Sequence, residues 1–176
     1  MKVLFGILVL TLLSPLNAWT QTAEENLKQK NITLPAPISP YGTYVPAVRS
    51  GNLLFLSGHA AAPSDFKSGI VRMGKVGKDL TPEQAYQAAR LSGLYLLATT
   101  RAALGSLNKV KRVLKVFGMV NSAPGFTDQT KVINGFSDLM VEVFGDSGRG
   151  GRSAVGMGSL PSQIAVEVEM ILEVRD

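Results

Sequence analysis

Hydrophobic and polar positions alternate most cleanly near the C-terminus. Val166, Val168, Met170, Leu172 and Val174 share one side with Ile164, while Ala165, Glu167, Glu169, Ile171 and Glu173 share the other. Period two is the signature of a strand with one buried face. A second strand precedes it after a short turn, headed by Arg152. Upstream, the pattern predicts strands over 44–49 and 53–57, turning at Ser50-Gly51-Asn52, and another over 110–120. A short strand is expected at 70–73, after a loop over 60–68.

Helical spacing appears twice. Thr81 is an N-cap, Pro82 suits the first helical position and Gln84 completes a capping box, so a helix starts here and runs to Leu104 before Gly105. Its small residues Ala85, Ala88, Ala89 and Ser92, with Leu96, form a narrow face that can lie close on a sheet. Val132, Phe136, Leu139 and Val143 step by four, three and four, which predicts a second helix over about 128–144, ended by Gly145. The glycine-rich stretch 145–151 is expected to be flexible; it lacks the GK[ST] of a nucleotide-binding P-loop. The order β-β-β-α-β-α-β-β gives an α/β (α+β) domain with both helices on one face of one mixed sheet.

At the N-terminus Lys2 precedes an apolar run over 3–13, then Ser14 and Pro15. That run is too short to span a bilayer. It reads as a secretory signal peptide over 1–20, cleaved after Ala18 or Thr20, and predicts an exported protein, periplasmic or extracellular. Residues 21–34 then form a tether or a short polar helix, and 35–176 form the domain, with Pro35, Pro37 and Pro40 keeping its start extended. Roughly 155 residues after the leader suffice for one domain with its own core. No cysteine is present, so disulfides and a lipid anchor on a leader cysteine are excluded.

The formal charge is +5, but the basic residues are scattered apart from Lys109, Lys111, Arg112 and Lys115. On an alternating strand Lys111 and Lys115 share a face that Arg112 does not. This reads as a solvated face and not as a nucleic-acid stripe, while an anionic small ligand still suits the charge. His59 is the single histidine; with no cysteine it cannot build a histidine-rich metal site or a Ser-His triad of usual spacing, and a structural role is expected for it. No metal and no organic cofactor is expected. Asn31-Ile32-Thr33 fits a glycosylation sequon, relevant only in a eukaryotic secretory host.

Arg152 and Glu167 carry the candidate chemistry. A guanidinium grips a carboxylate with two parallel hydrogen bonds, and a nearby carboxylate can orient or deprotonate water. The pair suits a small organic acid that is hydrolysed or rearranged. The plain alternative is a surface arginine and the polar side of a strand.

The motifs, taken in order, resemble the RidA/YjgF family of imine deaminases. They are Pro40-Tyr41, the strand Gly51-Asn52 through Ser57-Gly58, Gly74-Lys75-Val76-Gly77 leading into Leu80-Thr81-Pro82, Val132-Ile133-Asn134-Gly135, and Arg152 through Leu160-Pro161 to Val166-Glu167. The resemblance covers about 35–175 and is strongest to a branch with a longer loop, here near 121–128. It implies a chorismate-mutase-like fold and a homotrimer whose sheet faces form a central barrel, with ligand clefts between neighbours. It also implies hydrolysis of 2-imino or enamine acids to 2-keto acids and ammonia. Arg152 would hold the substrate carboxylate and Glu167 the attacking water; Tyr41 would pack over the ligand, Gly58 and Ala154 would offer backbone groups, and Asn134 would lie near the cleft. Many members carry cysteine at the position of Ala154, which removes a thiol here but not the backbone N–H. No residue supports a nuclease role. A trimer that binds small carboxylates without turnover, or a chorismate-mutase-like rearrangement, uses the same pair. No nucleic-acid partner and no lasting membrane association are expected.

Overall fold

The computed structural model describes residues 21–69, 71 and 73–176. The expected leader lies outside the described residues, among which no helix is long and apolar enough to cross a membrane. The elements are α1 (Ala23–Gln29), β1 (Ala47–Ser50), β2 (Leu53–His59), α2 (Pro63–Lys67), α3 (Pro82–Leu104), β3 (Val110–Asn121), α4 (Gln129–Phe144), β4 (Gly151–Met157) and β5 (Val166–Val174). Five strands form one sheet in the order β1-β2-β5-β3-β4, in which only the β3–β4 pair is parallel. Helix α4 is the crossover of that parallel pair. It packs beside α3, and the two helices touch β2, β3, β4 and β5 from one side. This is the mixed α+β layer that the pattern predicts.

The long helices follow their local signals. Thr81 and Gln84 bond reciprocally across the start of α3, and Gly105 ends it in the left-handed region at φ 82°. At Gly135 of α4 a Cβ would run into the carbonyl of Tyr86, so the helices approach to backbone contact there. Outside that seam Arg90 grips Glu142 with both Nη groups, at 2.9 and 2.7 Å. Val166, Val168, Met170, Leu172 and Val174 are buried under the helices, as the alternation requires. Ala165, expected on the opposite side, sits just before β5 and is also buried, because regular pleating begins only at Val166.

Four expectations change and an open one is resolved. The segment 60–68 contains the helix α2, built by Pro63 in its first turn and by the Asp65 carboxylate, which accepts from the Ala62 N–H at 2.7 Å and from the buried Tyr95 hydroxyl at 2.8 Å. Of the strand expected at 70–73, residues 70 and 72 lie outside the described residues, and the other two are not in a strand: Val71 lies in a bend and Met73 outside regular structure. β1 begins at Ala47 and not at Tyr44, since Pro46 has no N–H for a ladder bond. Of the two forms expected for 21–34, the short polar helix is the one that forms as α1, and it is docked. Leu27 and Ala23 are buried, Arg101 forks onto Glu24, and the Asn26 amide donates to the carbonyl of Val143. In the glycine-rich stretch, Gly145–Gly148 winds into a 3-10 turn with Gly148 packed against the backbone of Met140.

β3 also departs from strict alternation. Register shifts between Val110 and Arg112, and between Val113 and Lys115, bury Val110, Val113 and Val116 at steps of three. Lys111, Arg112 and Lys115 are consequently all exposed, so no face separates them. On the uncovered side of the sheet Val48, Phe55, Phe117 and Ile171 cluster with Lys115 and Glu169.

Candidate functional site

Arg152 is the second residue of β4 and pairs with the buried Val116 of β3, on the helix-covered side. One of its terminal nitrogens, Nη1, donates to Oδ1 of Asn134 and to Oγ of Ser137, each at 2.9 Å. Asn134 and Ser137 are three apart on α4, hence on one helical face. Nη1 carries two protons, and both are used. The Nε–H and Nη2–H edge is the pair of parallel donors that remains for a carboxylate gripped side-on. A cavity of about 260 Å³ lies here, lined by Asn134, Ser137, Asp138, Arg149 and Arg152. Ala154 is two residues further along β4, opposite Gly118, on the same side of the sheet and against the core.

Glu167 is built from different elements. It lies on β5 opposite Met119 of β3, near the place where β2 breaks register with β5 between Leu56 and His59. That irregularity contains Gly58, and a Cβ there would sit 2.9 Å from Cδ of Glu167 and overlap its Oε1. The glycine thus makes room for the carboxylate. Burial pushes the Glu167 carboxyl above its ordinary value, and the neighbouring Glu169 charge adds to the rise. A carboxyl so placed holds a proton more readily than an exposed one. Tyr41, 78% exposed, lies on the 38–46 segment and lines a groove that Gly58 also lines.

His59 closes β2 and is 5% exposed. Its Nδ1–H donates to the carbonyl of Ser57 at 2.7 Å, and its Nε2 accepts from the hydroxyl of Thr99 at 2.8 Å. Burial pushes its pKa down, and the bond to Ser57 partly opposes this. A neutral imidazole with both nitrogens occupied is compatible with the structural role expected of it.

The candidate residues therefore form two clusters. Arg152, Asn134 and Ala154 make one, together with Ser137, which the sequence reading missed although it stands three residues from Asn134. Glu167 and Gly58 make the other, with Tyr41 at its groove. Arg152 aligns with Val116 and Glu167 with Met119, three residues apart on a stretch of β3 without register shifts. With side chains alternating, the two point to opposite faces, about 10 Å apart along the strand direction. A single chain does not bring them onto one small ligand.

A mixed five-stranded sheet with two helices on one side, carrying an arginine and a glutamate at the start of β4 and in β5, defines a chorismate-mutase-like α+β class. The chain belongs to the RidA/YjgF family: the family model described as "YjgF/chorismate_mutase-like, putative endoribonuclease" matches residues 24–173. Protein TCP17 of Trypanosoma cruzi is 42% identical over 152 residues, covering 86% of this chain and 93% of the relative. Among solved structures, Atu1372 from Agrobacterium tumefaciens, of unknown function, is 42% identical with a TM-score of 0.76, covering 87% of this chain and 92% of the other. A Shewanella oneidensis protein carrying the same endoribonuclease description is 27% identical with a TM-score of 0.81, covering 88% and 100%.

Proposed function

We propose that the protein hydrolyses small 2-imino or enamine acids to 2-keto acids and ammonia, in clefts shared between subunits of a homotrimer. The observation that carries this reading is the pre-set guanidinium of Arg152. A group already fixed by Asn134 and Ser137, with a free two-donor edge, is suited to hold a carboxylate in a fixed direction. Because Glu167 faces the other side of the sheet, the reading requires Arg152, Asn134 and Ala154 of one protomer to meet Glu167, Gly58 and Tyr41 of its neighbour.

The chemistry needs one proton shuttle. Glu167 takes a proton from water as the water oxygen bonds to the imine carbon, and returns it to the nitrogen to give a carbinolamine. The carboxylate then takes the hydroxyl proton as the carbonyl forms and passes it to the nitrogen as the carbon–nitrogen bond breaks and ammonia leaves. Imine and water go to keto acid and ammonia with no oxidant. A raised carboxyl pKa favours this give-and-take, since a general acid-base works best near the operating pH. A buried histidine with both nitrogens engaged offers nothing to the cleavage of RNA.

The test generates 2-imino acids in solution with an amino-acid oxidase and follows their loss against the uncatalysed rate. Wild type is expected to accelerate hydrolysis, and Glu167→Gln to abolish it while still binding a 2-keto acid. A wild type that binds the keto acid yet leaves imine decay unchanged would make this a carboxylate-binding trimer.

A further inference from the structure

The groove beside Gly58 has a volume of about 360 Å³. Its walls include Tyr44 and Pro46 on one side, Phe66 of α2 and Met73 on another, and Ile164 after the left-handed turn at Ser162 and Gln163. No Asp, Glu, Lys or Arg among the described residues lines it. Its histidine, His59, has both nitrogens bonded inside the protein. Gly58 lines this groove and also makes room for the Glu167 carboxylate, so the groove adjoins the place where the proposed reaction happens.

A 2-imino acid has three substituents on the reacting carbon. The nitrogen and the carboxylate are accounted for by Glu167 and by a neighbour's Arg152, which leaves the side chain. An ionised side chain entering this groove loses water and finds no partner, whereas an aliphatic or aromatic one removes apolar surface from water. The volume is near the lower end for small-molecule sites, enough for one side chain. We infer that the groove receives the substrate side chain, and that the protein selects 2-imino acids carrying branched aliphatic or aromatic groups. This rests on the imine-hydrolase reading and goes beyond it by naming the substrate class.

The test titrates the assembled protein calorimetrically with four products of the proposed reaction: pyruvate, phenylpyruvate, and the keto acids of leucine and of glutamate. Phenylpyruvate and the leucine keto acid are expected to bind at least about tenfold more tightly than pyruvate, since each buried methylene contributes about fourfold. The glutamate keto acid is expected to bind no better than pyruvate. Met73→Glu places a charge on an exposed side chain at the groove and is expected to erase the preference while pyruvate affinity stays. Phe66→Ala is expected to weaken the same preference. Equal affinities, tightest binding of the glutamate keto acid, or a preference untouched by Met73→Glu overturns the groove assignment and leaves imine hydrolysis standing. A Met73→Glu protein that dissociates into single chains shows a second copy seated in the groove, and this too overturns it. If wild type binds none of the four, the imine reading falls and this inference falls with it.

Discussion

Gly58 and Glu167 fit together as absence and presence: the carboxylate occupies the volume that any side chain at residue 58 would need. The backbone at Gly58 is not left-handed, so alanine is conformationally acceptable there and the conflict is steric alone. Gly58→Ala is expected to swing the Glu167 carboxylate aside and lower kcat for imine hydrolysis about a hundredfold, the usual consequence of misplacing a reacting group by an ångström. The melting temperature should stay close to wild type. Unchanged kcat would mean that Glu167 does not act from its present position.

Ser137 holds Arg152 without touching the ligand edge. Ser137→Ala removes one of the two bonds on Nη1 and is expected to raise KM and the Kd for keto acids by about tenfold, the worth of one charge-assisted hydrogen bond, with kcat little altered. Ser137→Thr, which restores a hydroxyl, should recover most of the affinity. Arg152→Lys should be worse than either, because an ammonium has no planar fork.

Stability should depend on pH through His59. Its folded pKa is held below the ordinary 6.5, so as pH falls through that value the unfolded chain takes up the proton first and stability drops until the folded pKa is reached. Glu167 acts in the opposite sense. Its folded pKa lies above 4.5, so the cost of ionising it is relieved as pH falls through the folded value. The urea midpoint of wild type is expected to be lower at about pH 5.5 than at about pH 7.5. His59→Gln should lose most of that difference, and Glu167→Gln should enlarge it. Identical profiles for wild type and His59→Gln would place the histidine outside this balance.

Assembly should depend on the uncovered side of the sheet. Phe55 and Ile171 are cross-strand partners there, with Phe55 40% exposed. A double charge at that pair, Phe55→Glu with Ile171→Glu, is expected to convert the proposed trimer to single chains by light scattering at micromolar concentration and to remove the proposed imine hydrolysis. A wild type that is already monomeric under those conditions would end the shared-cleft reading.

Helix α1 should contribute to stability far out of proportion to its polar sequence. Leu27 is buried, and its replacement by alanine is expected to cost about 2–4 kcal/mol in urea unfolding. A loss below about 0.5 kcal/mol, the ordinary effect of a surface change, would mean the helix frays freely.

Elements written in local chemistry were legible from the sequence. The alternation of β5, the Thr81–Gln84 capping box and the spacing of Val132, Phe136, Leu139 and Val143 each depend on neighbours within one or two turns, and each forms where expected. What depends on distant partners was not legible. α2 has only five residues and is held by Asp65 on Tyr95, thirty positions away. The steps of three in β3 come from its ladder with β5, not from its own composition. Arg152 and Glu167 could be singled out and the alternation gives the face of Glu167, but the face that Arg152 takes could not be read. The turn between β4 and β5 passes through Ser162 and Gln163 at φ 51° and 56°, and spacing across such a turn does not preserve parity. Ser137 was within reach, since it follows Asn134 by a helical step, yet only the tertiary fold shows that both meet the guanidinium.

With the guanidinium and the carboxylate on opposite sides of one sheet, every centre of the proposed reaction would be a joint possession. In the proposed ring, a molecule lacking Arg152 still lends its acid to the next subunit, and one lacking Glu167 still lends its base grip. Arg152→Ala and Glu167→Gln, each inert when purified alone, should therefore rescue one another when synthesised together, with about a quarter of the seams rebuilt in a randomly mixed three-membered ring.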